Sequence, residues 1–343
     1  MKTPCDPNPC NIPNSTGICN QVTEIQYACE CSSGYYWHGK TEGCKTEPLT
    51  LGNICTGQNK CYSNSGTMTC PAEGEDFFGQ DAWYASLGKC VPQSFTVQTI
   101  SDQNVVLDNN TGLMWQQTIP TDKYKRAAAV SYCNDLSYAG YSDWRLPTPL
   151  ELLTIVDNSK CDPAIDTTYF PDTPSSIFWS SSTDVTTPNY AWFVKFIIGG
   201  VSSTDMETIN YVRCVRGTTL PTSSFNSTTV NGDVIVTDTK TGLVWQKTYE
   251  TEKNWQQALD YCEDLTYAGY SDWRLPDKNE LASLVNYKKY NPASNFPDIS
   301  GDLSWWSSST GVYNTLGAWC VHFNAGYVDV RNKTYNGYVR CVR

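Results

Sequence analysis

The side chains best able to ligate a metal or act as nucleophiles in this chain are two histidines, His38 and His322, and sixteen cysteines. The histidines fall in different modules, so no single site can gather the imidazoles that catalytic zinc requires. No Gly-x-Ser-x-Gly elbow, phosphate-cradling glycine loop or dinucleotide fingerprint occurs, and no catalytic residue is assigned. The cysteines are even in number and regularly spaced, as in a disulfide framework formed in an oxidising compartment. A secreted or surface-exposed protein is therefore expected. Cys55, Cys61, Cys70 and Cys90 lie in a turn-rich stretch of Gly, Ser and Asn. Zinc is the sharper reading of those four and two local bridges the more ordinary one, with three connectivities open.

What positions these residues is a duplication. Tyr138-Ala-Gly-Tyr-Ser-Asp-Trp-Arg-Leu-Pro147 recurs unchanged at 267–276, and Thr111-Gly-Leu-Met-Trp-Gln116 returns as Thr241-Gly-Leu-Val-Trp-Gln246. Trp179-Ser-Ser-Ser-Thr183 returns at 306–310, and Tyr211-Val-Arg-Cys-Val-Arg216 at 338–343. A period near 130 residues predicts two independent globules rather than a solenoid. Each copy should open with a hairpin, 105–115 or 234–245, turning at Thr-Gly. A helix over 124–136 or 254–265 follows, with Thr121 or Thr251 as N-cap. A second helix starts at the capping boxes Thr148-Pro-Leu-Glu151 and Asp277-Lys-Asn-Glu280. Alternating strands complete each copy and end in Arg-Cys-Val-Arg, which makes the fold α+β.

The cysteines fit this plan. Cys133 and Cys214 join the first helix to the last strand of copy one, as do Cys262 and Cys341 in copy two. Each closes a loop of about 80 residues, worth roughly 4 to 4.5 kcal/mol by chain entropy. Cys161 and Cys320 have no counterpart in the other copy; bridging the repeats, burial as thiols and pairing with another chain all remain open for them.

The whole combination resembles the C-terminal domain family of the Legionella collagen-like adhesin: Thr-Gly-Leu-x-Trp, Gly-Tyr-Ser-Asp-Trp-Arg-Leu-Pro, an acidic residue opening helix two, Trp-Ser-Ser-Ser, and Arg-Cys-Val-Arg. Five ordered motifs occur twice over about 240 residues. That resemblance implies a bacterial, C-type-lectin-like binding module in tandem, related to the formylglycine-generating enzyme scaffold but without its redox cysteine pair. Residues 1–46 resemble an EGF-like module, on cysteines 5, 10, 19, 29, 31 and 44 with Gly34-Tyr-Tyr36 before the last. Family pairing would join Cys5 to Cys19, Cys10 to Cys29 and Cys31 to Cys44. The expected organisation is thus an EGF-like module over 1–46, a disulfide-rich connecting segment over 47–93, and lectin-like repeats over 94–217 and 218–343.

Composition narrows the partners. With 35 acidic against 24 basic residues the net charge is −11, which argues against nucleic acid and anionic membrane as general partners. The same charge disfavours the sulfated glycans associated with the namesake adhesin. No apolar run approaches the roughly 18 to 20 residues of a membrane span. No apolar leader precedes Cys5, so the numbering is expected to start near a mature N-terminus. No cofactor is expected: calcium suits an acidic chain, but the Glu-Pro-Asn and Trp-Asn-Asp triplets of calcium-dependent lectins are missing, as is the acidic EGF consensus around residues 3–6.

Residues shared by the copies are assigned to scaffold. Trp115, Trp144, Trp192, Trp245, Trp273 and Trp319 are read as core rather than sugar platforms. Arg145 and Arg274, each beside an aspartate, are read as structural ion pairs rather than anion sites. A ligand should then lie where the copies differ, between Trp-Ser-Ser-Ser and Arg-Cys-Val-Arg. In copy two that segment carries Tyr313, Asn314, His322, Asn324, Tyr327, Asp329, Arg331, Asn332, Tyr335 and Asn336, a paratope-like mix of aromatic area and adaptable hydrogen bonding. The expected function is a non-catalytic bacterial adhesin recognising a glycan or protein. A filament or surface-coat subunit, its tandem domains polymerising through the Ser/Thr/Asn-rich linker over 217–230, is one alternative. A retroelement-diversified receptor is another.

Overall fold

A computed structural model describes residues 5, 8–21, 27–32, 35–40, 42–299 and 304–343. Gly34 and residues 1–4 and 6, which bear on the turn, calcium and leader expectations, lie outside the described residues. The N-terminal module is built on a two-stranded ribbon, β1 (Ser15–Gln21) against β2 (Tyr27–Cys31), with a shorter one pairing Tyr36–Trp37 with Cys44–Lys45, and is held by Cys5–Cys19, Cys10–Cys29 and Cys31–Cys44. Its core of Cys10, Ala28, Cys29, Trp37 and Cys44 is too small to fold without those bridges. In the next segment, which carries α1 (Asp81–Ser86), Cys55 pairs with Cys90 and Cys61 with Cys70. These bonds consume all four thiols and remove the zinc reading.

Each repeat then follows one plan, mostly sheet with two short helices. Copy one runs β3 (Phe95–Ile100), β4 (Gln103–Asp108), β5 (Met114–Gln116), α2 (Arg126–Asn134), α3 (Pro149–Thr154), β6 (Ile177–Thr183), β7 (Tyr190–Lys195), β8 (Gly200–Asp205) and β9 (Val215–Arg216). Copy two runs β10 (Phe225–Val230), β11 (Asp233–Asp238), β12 (Val244–Gln246), β13 (Glu250–Lys253), α4 (Trp255–Glu263), α5 (Lys278–Ser283), β14 (Ser304–Thr310), β15 (Gly317–His322), β16 (Tyr327–Asn332) and β17 (Gly337–Val339). The Thr-Gly turn forms because the Asp108 carboxylate accepts from the Asn110 and Thr111 amides and the Thr111 hydroxyl, while Gly112 takes φ 72°. Disulfides Cys133–Cys214 and Cys262–Cys341 close each copy. The six tryptophans assigned to scaffold, and the shared Trp179 and Trp306 with them, are core, at most 2% exposed.

The second helices are capped as expected, with Thr148 and Asp277 in complete capping boxes. The first helices are shorter than expected and their caps differ. Thr121 and Thr251 cap nothing: Lys125 precedes α2 without a side-chain cap, and Asn254 caps α4 in a box with Gln257. The linker reading also fails. Residues Phe225–Val230 form β10, fully paired with β11, and the Leu220 amide donates to Glu151 at 3.3 Å.

The repeats are not independent. One eight-stranded sheet runs through both, in the order β6-β7-β8-β16-β15-β14-β17-β13, and crosses from copy to copy where β8 pairs antiparallel with β16. A single core holds Trp192, Val194 and Val201 of copy one with Trp319, Val321 and Val328 of copy two. Trp192 packs against Tyr287 and Tyr327 across this junction, with ring centroids 4.9 Å away in each case. Buried Lys278 completes it. Its ammonium donates to Asn158 Oδ1 at 2.7 Å and to the Gly199 carbonyl, and lies 4.1 Å from the Trp319 ring.

Residues 47–93, expected merely to connect, dock on both repeats. The Gln58 side chain bonds the Thr310 backbone in both directions, and Asp81 Oδ2 accepts from Thr56 Oγ1 at 2.6 Å and Ser309 Oγ at 2.5 Å. Tyr84 donates to Glu263, Asn279 Nδ2 to the Ile54 carbonyl, and Asn158 Nδ2 to the Thr56 carbonyl. Such polar groups are buried because each finds its partner in another segment. Cys161 is an exposed free thiol and Cys320 a buried one, so they do not bridge the repeats.

Candidate ligand-binding surface

The segment singled out in copy two is a hairpin, β15 and β16, with a loop at each end. Register pairs His322 with Tyr327 at the turn, Cys320 with Asp329 in the middle and Gly317 with Asn332 at the far end. Trp319, Val321 and Val328 face the shared core, so the hairpin is anchored along its length. At about 3.3 Å per residue, the six-residue strands hold the two ends roughly 17 Å apart.

The ten candidate residues therefore do not form one site. At the turn end, Asn324 is exposed, but its Oδ1 accepts from the Ala325 amide. Tyr327 is committed to Trp192 and places its hydroxyl 3.2 Å from Ser203 Oγ. In the middle, Asp329 lies 3.8 Å from Lys195 of copy one. His322 lies 3.6 Å from the Cys320 sulfur, and burial holds its imidazolium form below the usual histidine range. Tyr327 and Asp329 thus serve the junction. Burial pushes the Cys320 thiol up to about 12, which makes it unreactive.

At the far end the loop over 311–316 meets the loop over 333–336, tied by the Lys333 amide donating to the Leu316 carbonyl at 2.8 Å. Here Tyr313, Asn314, Asn332, Tyr335 and Asn336 are exposed together, and Arg331 leans over the Tyr335 ring at 5.1 Å while donating to Ser304. Asn332 Oδ1 accepts from the Thr334 amide and hydroxyl, fixing the turn. Tyr313 is 43%, Leu316 50% and Tyr335 56% exposed. Leu316 was overlooked in the sequence. The signal was there: copy one carries Asn189 at that position.

Arg145 and Arg274 are structural, but their partners are not the neighbouring aspartates. Each forms a two-pronged pair with the capping-box glutamate, Glu151 or Glu280, at 2.5 to 2.8 Å. Asp143 and Asp272 instead hold the terminal arginines Arg216 and Arg343, both at 2.7 Å.

A family model described as the Lcl C-terminal domain matches twice in tandem, at residues 104–216 and 234–343, well over half of the chain. The chain belongs to the Lcl C-terminal domain family. No curated protein matches it. Both family domains supply an anchored β-hairpin whose far loops project from the fused sheet. Because β8 and β16 run antiparallel, the equivalent loop ends of the two domains point to opposite poles. The copy-one pole exposes Val185, Tyr190 and Ile209. Among the described residues no cluster of three or more metal-ligating side chains occurs, and no helix is long and apolar enough to cross a membrane.

Proposed function

We propose that the chain is an extracellular, non-catalytic adhesin whose second Lcl domain binds a glycan or protein ligand through the loop end of Tyr313, Leu316 and Tyr335. Family membership supports a surface adhesin-like role, and seven disulfides suit an oxidising exterior. In this reading the Lcl domains are C-type-lectin-like and residues 1–46 act as an EGF-like stalk. One observation carries it: three large side chains stand exposed among asparagines on loops fixed to a packed sheet, where copy one has Thr186, Asn189 and Thr208. Rigid aromatic anchors with short polar neighbours give contact area at low entropic cost. The test uses the whole chain and its Tyr313→Ala/Tyr335→Ala variant on a glycan array and immobilised matrix proteins. Binding that falls about tenfold or more in the variant supports the reading; no binding by the parent sinks it.

Self-association is the second reading, favoured by the two equivalent loop ends at opposite poles, which could chain molecules end to end. Light scattering that finds only monomer at high concentration removes it.

A further inference from the structure

Copy two differs from copy one at a second place, on the sheet formed by β11 and β12. Five residues separate Ala164 from Phe170, but only two separate Ala293 from Phe296. In copy one the longer segment covers the end of β5: buried Gln117 donates to the Tyr169 carbonyl at 2.9 Å, and the Tyr169 ring packs on Phe95. Copy two has no Tyr169, and Gln117 and Ile119 are replaced by Lys247 and Tyr249. A cleft of about 470 Å³ opens there, lined by Asp233, Lys247, Thr248, Tyr249, Tyr267 and Asp298 among others. That volume lies within the range of small-molecule sites, roughly 300 to 1,000 Å³.

The walls are preorganised from beneath. Buried Arg340 donates from Nη2 to the carbonyls of Lys247, at 3.0 Å, and Asp298, at 2.7 Å, which ties the strand side of the cleft to its loop side. Tyr249 packs on Trp305 and Tyr338, and Tyr267 donates its hydroxyl to the Val234 carbonyl, so both rings are held in place. Polar groups surround them. Lys247 pairs with Asp298 at 3.1 Å, Asp233 accepts from the Ala268 amide, and Thr248 accepts from Gln246, leaving its own proton to donate.

From this geometry we infer that the cleft in copy two is a binding site for a neutral saccharide of one or two pyranose rings. Tyrosine rings offer flat apolar area to the C–H face of a sugar, while carboxylates, an ammonium and a hydroxyl suit a polyol that both donates and accepts. Two carboxylates against one exposed ammonium, in a chain of net charge −11, oppose carboxylated or sulfated sugars. The site lies apart from the loop end of Tyr313 and Tyr335 and does not depend on that surface's role.

Saturation-transfer NMR on the whole chain tests this with methyl glycosides of glucose, galactose and mannose, N-acetylglucosamine, lactose and cellobiose, and with glucuronic acid and glucose 6-sulfate as anionic probes. At least one neutral sugar should bind in the millimolar range typical of so small a ligand. The Lys247→Gln/Tyr249→Ile variant carries the residues of copy one, so the scaffold should accept them; an unchanged melting curve verifies this. It should weaken binding about tenfold or more, whereas Leu87→Ala, at an exposed position outside the cleft, should leave it unchanged. The inference falls if no neutral sugar binds, if the double variant binds like the parent, or if an anionic probe binds the cleft more tightly.

Discussion

Val201 and Val328 occupy the same position of the repeated sequence and pair with each other across the antiparallel junction of β8 and β16. A self-complementary contact of this kind is what a twofold dimer makes, here within one chain. The two Lcl domains should therefore unfold together. Calorimetry of the parent should show one cooperative transition for them, and Val328→Asp, which buries a carboxylate at a fully enclosed site, should cost about 3 kcal/mol or more and lower the melting of both domains. Separate domain transitions in the parent would show that the shared sheet does not couple them.

Lys278 should give the junction a pH dependence. Burial pushes its ammonium down from 10.5 to about 7, although Asp277 and Asp81 oppose the shift. Between pH 7 and 10.5 the unfolded chain then holds a proton that the folded one does not, so this residue's contribution to stability rises with pH across that window. Urea unfolding at pH 7 and pH 10 should show the parent gaining on Lys278→Met at the higher pH. A constant difference would mean that the ammonium stays charged between its carbonyls and the Trp319 ring.

How much of this was legible in the sequence follows from what the copies share. The tryptophans, both arginines and both capping boxes lie in repeated motifs, and comparing the copies exposed them as scaffold. The junction was not legible, because Val201 and Val328 look like any strand valine and nothing local says that their partner is the other copy. Gln58 and Asp81 sit in a turn-rich stretch without periodicity, and their burial depends on Thr310 and Ser309, more than 200 residues away. The divergence of the candidate segment was legible, but the hairpin register that divides it between two ends was not. The cleft was hidden differently: the replacement of Ile119 by Tyr249 and the shorter loop were both readable, yet they lie outside the most divergent stretch.

Docking of residues 47–93 on copy two should tighten in acid. Burial raises Asp81 to about 6 and Glu263 to about 7, even though hydrogen bonds from Ser309, Thr56 and Tyr84 pull the other way. Between about pH 4 and 7 the folded state holds protons that the unfolded state has lost, so stability from these groups falls as pH rises through that window. Hydrogen exchange in α1 should be slower at pH 5 than at pH 7.5 after correction for the intrinsic rate, and Glu263→Gln should flatten the difference. A profile that Glu263→Gln leaves unaltered would remove this carboxyl from the account.

The same ion pair should be worth different amounts in the two copies. In copy two Arg274 and Glu280 are 4% and 1% exposed, whereas in copy one Arg145 is 25% exposed beside a fully buried Glu151. Each glutamate also closes its capping box, Glu151 accepting from the Thr148 amide and Glu280 from the Asp277 amide, both at 2.8 Å. Removing Arg274 strands a charge that water cannot reach and should cost about 3 to 5 kcal/mol. Water can approach Glu151 through the space that Arg145 vacates, so Arg145→Ala should cost less. Arg274→Lys should not restore the loss, because an ammonium cannot match both carboxylate oxygens in a planar fork. Urea unfolding of the three variants measures this, and equal costs for Arg145→Ala and Arg274→Ala would show that burial does not set the strength of the pair.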